Sequence, residues 1–274
     1  MADRRTQRDE LAVEVGLVDD VRIDEQQRLL KQQNRELAQA ENLRRDFSSN
    51  VSHEMKTPLQ VISGYAELMK NDMVQPADRQ KFAALIYDEA QTMRSLINDV
   101  LTLSKLDESA FENDGATAIN LYAVAQRVAG RLSSFADDQG VRVRVEGASA
   151  CIAGSETLAE EMLYNLIENG IRYNHEGGLV TMKVGSECVE GGLANAAYQT
   201  VVRVSDTGPG IPAELHDKVF ERFFRVDKSR SKETGGTGLG LAIVKHAVMY
   251  HGGVIEVESA EGQGTTFVLR FPSA

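Results

Sequence analysis

The chain has 274 residues, 42% of them hydrophobic and 26% charged, which is typical of a globular protein of about two domains and argues against a disordered chain. Its formal net charge of −11 argues against a nucleic-acid-binding protein, because sequence-independent binding needs a basic surface that displaces counterions. The two cysteines, Cys151 and Cys188, form no C-x-x-C pair and indicate neither a disulfide framework nor a zinc site.

The sequence contains no apolar run of the roughly 20 residues that a helix needs to cross a bilayer. Its N-terminus also lacks the apolar stretch of a signal peptide. We therefore expect this chain to be cytoplasmic and to make no membrane contact of its own. The same pattern fits the cytoplasmic part of a membrane-anchored receptor, and the sequence leaves both interpretations open.

Residues 20–71 predict one long helix, because strong helix formers dominate and neither glycine nor proline occurs before Pro58. Within it, Ile23, Leu30 and Leu37 repeat every seven residues, which is typical of a coiled coil. A turn near 71–76 precedes a second stretch with apolar residues at three- and four-residue spacing. A hairpin of two such helices buries little alone, so we predict a dimeric four-helix bundle.

After Asp107, short β-rich runs alternate with helical ones and indicate a second domain. The predicted helices lie near residues 121–138, 156–173 and 239–250, and the predicted strands near 141–146, 180–185, 200–205, 254–259 and 265–270. The predicted fold class is therefore α+β multidomain: an N-terminal coiled coil and helical hairpin, followed by a two-layer α/β sandwich. The predicted segments are an N-terminal coiled-coil linker at 1–46, the hairpin domain at 47–110, a linker at 111–118 and the sandwich domain at 119–274.

A histidine with an acidic neighbour lies on the polar side of the first helix, at His53 and Glu54. A neutral imidazole can attack a phosphorus atom when a carboxylate accepts its other N–H, so His53 is a candidate phosphoryl acceptor and Glu54 its general base. Thr57 follows one turn later, where its hydroxyl could orient a water for the reverse hydrolysis. Taken alone, the pattern fits an ordinary solvated helix face equally well.

A second polar face lies on the predicted helix at 156–173, where four residues stand at i, i+4, i+7 and i+8: Asn165, Asn169, Arg172 and Tyr173. Asn169 can offer a neutral oxygen to Mg²⁺, which takes most of its ligands from phosphate and water. Arg172 and Tyr173 could then contact phosphate oxygens. A solvated helix face without a ligand is the alternative interpretation.

Two glycine-rich segments complete the pattern. Asp206 ends a predicted strand and precedes Gly208 and Gly210, so the backbone can approach a flat ligand while the carboxylate accepts from an adenine amino group. The second segment leads directly into a helix, whose exposed amides favour phosphate; it contains Gly236, Thr237, Gly238, Leu239 and Gly240. It is neither a Rossmann fingerprint nor a P-loop, because Leu241 replaces the third glycine and no G-K-[S/T] follows. We interpret residues 212–234, between the two segments, as a mobile lid.

With these motifs in place, the chain resembles bacterial sensor histidine kinases, in which a dimerisation and phosphoacceptor domain precedes a Bergerat-type ATP-binding domain. Five family motifs occur in the family's order: the H box at 47–59, the N box at 165–174, the first glycine box at 206–210, the F box at 220–225 and the second glycine box at 236–241. Residues around Tyr65 and at 246–253 further resemble phosphate-responsive kinases.

The resemblance implies that the protein autophosphorylates His53 from ATP and Mg²⁺ and passes the phosphoryl group to an aspartate of a response regulator. It also implies a homodimer, phosphatase activity through Thr57, a magnesium contact at Asn169 and an adenine contact at Asp206. Three positions depart from the family pattern: Gly170 replaces the usual alanine, Arg172 a common lysine, and Asn174 a threonine or serine. Because glycine costs a helix about 1 kcal/mol relative to alanine, we expect modestly weakened nucleotide binding.

Three alternatives stay open. The protein could act mainly as a phosphatase towards its partner, since Glu54 and Thr57 are both present. It could be a dimeric signalling scaffold with a vestigial ATP domain. It could also be an ATPase of the chaperone, topoisomerase or mismatch-repair kind, which would not phosphorylate His53.

Overall fold

A computed structural model describes residues 3–108, 117–189, 197–226 and 236–273. The chain divides into two compact units, residues 1–53 and 54–274, and the division falls inside the first helix. Most of the predicted 111–118 linker and the last part of the predicted lid, from residue 227 onward, lie outside the described residues.

The first helix is longer than predicted. Helix α1 spans Asp3–Lys70, whereas the sequence pattern placed its start near Asp20. The added residues contain many helix formers and no proline, and the single Gly16 is not enough to end the helix. In the N-terminal unit, Leu30 and Leu37 of the seven-residue repeat are exposed, as expected of a seam that needs a partner helix.

The second unit begins with a helical hairpin, which confirms that prediction. A 3₁₀ turn at Pro76–Asp78 leads into α2, Arg79–Glu108. The rings of Tyr65 and Phe82 meet edge to face at 5.2 Å between centroids, so the two helices lie side by side. Among the described residues, no helix is long and apolar enough to cross a membrane.

The rest of the second unit is a sheet domain. Its helices are α3 (Leu121–Arg131), α4 (Ser133–Asp138), α5 (Glu156–Arg172) and α6 (Gly240–Tyr250). Its strands are β1 (Thr117–Asn120), β2 (Arg142–Gly147), β3 (Cys151–Gly154), β4 (Leu179–Val189), β5 (Ala197–Asp206), β6 (Val254–Ser259) and β7 (Thr265–Pro272). Strands β1 and β3 pair antiparallel; the other five form a sheet in the order β2-β4-β5-β7-β6, in which only β2 and β4 run parallel.

Two of the helices begin at side-chain caps that the sequence supplies. Asn120 accepts hydrogen bonds from the backbone N–H groups of Tyr122 and Ala123 at the start of α3. Ser155 accepts from Leu158 N–H and starts α5 in the same way. The cap at Ser155 places the first turn of α5 directly after β3, and the helix then carries the N box.

Helices α3, α5 and α6 pack on one face of the five-stranded sheet and enclose the hydrophobic core. The core includes Leu166 from α5, Val244 from α6 and Val202 from β5. The other face of the sheet carries ion pairs, among them Arg203–Glu187 at 2.9 Å and Arg270–Glu256 at 2.6 Å. Alternation of buried and charged side chains along the strands therefore produces the predicted two-layer sandwich.

Candidate active site

Asn165 lies on α5 against the start of α6. Its side chain is 9% exposed, and its Nδ2 donates to the backbone oxygen of Glu161 at 2.9 Å. Its Oδ1 lies 2.5 Å from the point that a Cβ on Gly240 would occupy. A side chain at 240 would therefore displace that of Asn165, and Asn165 packs the N box directly against the second glycine box.

Asn169 follows one turn later and is half-buried. Its side chain makes no hydrogen bond within the described part of the chain, while its backbone oxygen accepts from Tyr173 N–H at 3.0 Å. No group of three or more His, Cys, Asp or Glu residues among those described could hold a metal ion. A single asparagine oxygen fits Mg²⁺, because that ion takes its other ligands from substrate phosphates and water.

Arg172 and Tyr173 close the same face of α5. Arg172 donates to Glu168 Oε1 at 2.7 Å, one turn earlier, and its guanidinium lies 5.5 Å from the ring centre of Phe135. The hydroxyl of Tyr173 lies 3.1 Å from the position of a Cβ on Gly236. The two boxes therefore pack together at two points: Asn165 lies against Gly240, and the hydroxyl of Tyr173 lies against Gly236.

Asp206 lies at the end of β5. Its Oδ1 accepts from the backbone N–H of Gly208 at 2.8 Å and from that of Thr265 at 3.2 Å. Burial raises the pKa of this carboxyl, and the two backbone hydrogen bonds oppose that shift. Both of these hydrogen bonds use Oδ1 rather than Oδ2.

The first glycine box turns so tightly that side chains are excluded. A Cβ on Gly208 would lie 2.7 Å from the backbone oxygen of Tyr173, and one on Gly210 would lie 2.0 Å from that of Ala260. Gly210 also has φ +76°, a region that favours glycine. These glycines therefore make room for neighbouring backbone of the protein, and their predicted approach to a flat ligand stays a prediction.

Asn174 and Thr207 tie the end of α5 to the first glycine box, a link that the sequence analysis missed. The hydroxyl of Thr207 donates to Asn174 Oδ1 at 3.1 Å and accepts from Leu179 N–H at 2.9 Å. Asn174 Nδ2 in turn donates to the backbone oxygen of Gly170 at 3.1 Å. The departure of Asn174 from the family pattern was the available signal, and its role is to hold the residue that follows Asp206.

The second glycine box is held by backbone contacts. Gly238 has φ +72°, and its oxygen accepts from Phe223 N–H of the F box at 2.8 Å. Phe223 itself has φ +63°, which is rare for a residue with a side chain. Leu239 is fully buried, so its side chain anchors the loop while its backbone leads into α6.

Thr237, in the second glycine box, hydrogen-bonds a residue of the helical hairpin that is 138 positions away in the sequence. Its hydroxyl donates to Asp99 Oδ2 of α2 at 2.7 Å and accepts from Leu239 N–H at 3.3 Å. Burial, together with the nearby carboxylates of Glu161 and Glu168, raises the pKa of Asp99 to about 6, while the Thr237 hydrogen bond lowers it. Nothing in the sequence pattern indicated Asp99, because an acid on an amphipathic helix usually faces water.

The remaining predicted residues lie on α1. His53 is exposed at the end of the first unit. Glu54 and Thr57 are exposed at the start of the second unit, where Pro58 is buried. The residues that converge within the second unit are therefore the N box, both glycine boxes and Asp99.

Two family models match this chain. Residues 43–109 match the His Kinase A (phospho-acceptor) domain, and residues 154–274 match the histidine kinase-, DNA gyrase B-, and HSP90-like ATPase family. The first match contains the H box, and the second contains the N box, the F box and both glycine boxes.

Several curated proteins resemble the chain over most of its length. It is 35% identical over 237 residues to the sensor-like histidine kinase SenX3 of Mycobacterium tuberculosis, which covers 86% of this chain and 55% of that protein. It is 34% identical over 239 residues to the phosphate regulon sensor protein PhoR of Pseudomonas aeruginosa, covering 86% and 52%. The chain thus spans about half the length of these relatives.

Solved structures agree. The full-length histidine kinase ShkA, in complex with AMPPNP, is 28% identical with a TM-score of 0.58, over 82% of this chain and 45% of that one. The fold is also that of the Acinetobacter baumannii histidine kinase AdeS, with 23% identity and a TM-score of 0.61 over 80% of this chain and 97% of that one. The motifs, the fold and both family matches agree, and the chain belongs to the two-component sensor histidine kinases.

Proposed function

We propose that this protein phosphorylates His53 from Mg-ATP and passes the phosphoryl group to an aspartate of a response regulator. The observation that carries the proposal is the packing of the N box against the second glycine box, at Asn165–Gly240 and Tyr173–Gly236. Because Asn169 lies between these two contacts on α5, we infer a cleft that Asn169 shares with the loop amides and the first turn of α6. The matched phosphoacceptor domain supplies the histidine.

Each part of the cleft has a role that follows from its chemistry. Asp206 Oδ2 accepts from the adenine amino group, as its two bonds through Oδ1 allow. The amides that lead into α6 receive phosphate oxygens, because a helix N-terminus favours negative charge. Asn169 contributes one oxygen to Mg²⁺, which when bound neutralises charge on the phosphates.

His53 acts as the nucleophile through one ring nitrogen: its bond to the γ-phosphorus of ATP forms as the bond from that phosphorus to the bridging oxygen breaks, and ADP leaves. Glu54 accepts the hydrogen bond of the other ring nitrogen and stabilises the positive charge that develops as the N–P bond forms. Thr57 orients water for hydrolysis of the phosphorylated regulator. We propose this phosphatase activity as a second activity of the same helix, on the ground that the Thr57 side chain is exposed beside Glu54.

A homodimer accounts for the apolar surface of the hairpin. Leu59, Tyr87 and Leu101 are 51%, 63% and 53% exposed, which is costly for a single chain in water. Pairing of two hairpins would bury these side chains in a four-helix bundle.

A solved structure with the same fold shows a histidine kinase with its partner: ThkA in complex with the response regulator protein TrrA. ThkA is 22% identical to this chain, with a TM-score of 0.56 over 84% of this chain and 61% of that one. A cytoplasmic location, either alone or as part of a membrane-anchored receptor, remains a prediction.

The proposal is tested by incubating the purified chain with radiolabelled ATP and Mg²⁺. We expect label that is lost in acid, survives alkali and is absent from His53→Ala. His175→Gln is the matched control, because it removes another exposed histidine and should leave the label unchanged. Absence of label in folded protein that still binds ATP would instead favour the phosphatase-dominant or scaffold alternative.

A further inference from the structure

The hydrogen bond between Asp99 and Thr237 joins two parts of the chain that are 138 residues apart. Asp99 lies on α2 of the hairpin, and Thr237 lies in the second glycine box. Helix α2 also packs along α6, the helix that this box begins. The hairpin therefore contacts the nucleotide loop through a specific polar pair.

The partner of Thr237 is a carboxylate, so the contact places a negatively charged group beside the second glycine box. Leu239 N–H donates to the same Thr237 hydroxyl, so Asp99 is connected through one residue to the first amides before α6. Those amides are the ones assigned to phosphate in the proposed function. A carboxylate at this end of the helix occupies the electrostatic position of an anion.

We propose that Asp99 is an autoinhibitory residue: its contact with Thr237 holds the second glycine box against α2 and competes with nucleotide phosphates for that loop. The inference rests on the proposed ATP site and adds a regulatory link from the hairpin to it. Any movement of α2 that separates Asp99 from Thr237 frees the loop for ATP. Conversely, bound ATP favours separation of α2 from the loop, because the coupling of two equilibria is reciprocal.

Nucleotide affinity tests the proposal directly. Dissociation constants of ATP with Mg²⁺ are measured by calorimetry at pH 7.5 for the wild type, Asp99→Ala and Asp99→Ser, the second of which keeps a polar group too short to reach Thr237. Loss of one charge-assisted hydrogen bond should tighten ATP binding about three- to tenfold in both variants. Asp88→Asn is the matched control, since Asp88 is an exposed acid of the same helix.

The outcomes separate the two proposals. Wild type that binds ATP, with both Asp99 variants within twofold of Asp88→Asn, overturns the autoinhibitory contact and leaves the ATP site intact. Failure of every variant to bind ATP overturns the proposed function instead. If Asp99→Ala does not fold, Asp99→Ser gives the same comparison.

A cross-link tests whether the contact itself excludes nucleotide. Asp99→Cys and Thr237→Cys are combined in a chain whose Cys151 and Cys188 are replaced by alanine, and the pair is oxidised with copper phenanthroline. We expect the oxidised protein to lose ATP binding and to regain it after reduction, and ATP present beforehand to slow disulfide formation. Equal ATP binding by the oxidised and reduced protein would contradict the proposal. Each single-cysteine variant serves as control.

Discussion

Gly170 shows how one residue of the N box balances helix propensity against packing. Alanine, the usual family residue at this position, would favour the helix by about 1 kcal/mol relative to glycine. The structure adds an opposing contribution, because a Cβ at this position would lie 3.1 Å from both γ-carbons of Val180 on β4. The two residues are therefore a matched pair, and the glycine accommodates the valine.

We predict that Gly170→Ala does not stabilise the protein unless Val180 is shortened as well. In a double-mutant cycle with Val180→Ala, followed by urea unfolding, the double variant should be more stable than the sum of the single changes by about 0.5–3 kcal/mol. A matched Val→Ala change at a core position away from residue 170, Val124, should show no such coupling. Additive effects at 170 and 180 would show that the neighbouring side chains relax without cost.

Asp99 provides a prediction about pH. Burial in the contact raises its pKa from 3.8 to about 6, although the Thr237 hydrogen bond itself favours the ionised form. The closed arrangement that buries this carboxyl is therefore most favoured below the lower value and loses stability as pH rises through the higher one. The groups responsible are the buried surroundings and the carboxylates of Glu161 and Glu168, opposed by the Thr237 hydroxyl. The ratio of the wild-type ATP dissociation constant to that of Asp99→Ala should therefore fall between pH 5.5 and pH 7.5. A ratio that is flat or rises with pH would argue against the assignment.

At the scale of elements, a buried histidine joins the end of α6 to the start of α5. His251 is 6% exposed; its Nδ1 donates to the backbone oxygen of Ala247 at 2.7 Å, and its Nε2 accepts from Ser155 N–H at 3.2 Å. Gly154 makes room for the ring, since a Cβ there would lie 2.2 Å from it. The neutral ring thus hydrogen-bonds a backbone oxygen near the end of α6 and a backbone N–H at the start of α5.

Burial lowers the pKa of His251 below its ordinary value of 6.5, whereas the backbone oxygens of Ala247 and Ser155, which would accept from a charged ring, raise it. The stability that this residue contributes is therefore fully present above that value and is lost as pH falls, because the unfolded chain then binds the proton more readily. We predict that the free energy of unfolding falls more between pH 7.5 and 5.5 in the wild type than in His251→Gln. The exposed His175→Gln should retain the wild-type pH dependence, and equal slopes in all three proteins would disprove the assignment.

Sequence patterns predicted the elements that are long or strongly periodic. Strand β6 has the predicted bounds, and α5 differs by one residue at its end. Strands β1 and β3 were missed because four residues are too few to show an alternation. The predicted helix at 121–138 is two helices, because Leu132 has ψ 0° and interrupts the run. Local periodicity carries no signal for such a break, nor for a contact between residues as distant as Asp99 and Thr237.

At the scale of the whole molecule, the exposed apolar side chains of the hairpin predict the oligomeric state. Leu101→Glu should place a charge in the proposed bundle and shift the protein from dimer to monomer, as measured by sedimentation equilibrium. Arg94→Glu changes an exposed polar position of the same helix and should leave the dimer intact. A Leu101→Glu protein that stays dimeric would place the interface on another surface.

The left-handed backbone of Phe223 affects how readily the nucleotide loop moves. A non-glycine residue in this region stores about 1–3 kcal/mol, and Phe223 is also the residue whose N–H holds Gly238. When the loop separates from the F box, the hydrogen bond is lost, but the phenylalanine returns to an ordinary conformation. The strain of Phe223 in the closed loop therefore offsets part of the energy needed to open it. This favours rapid exchange between the closed and the open loop.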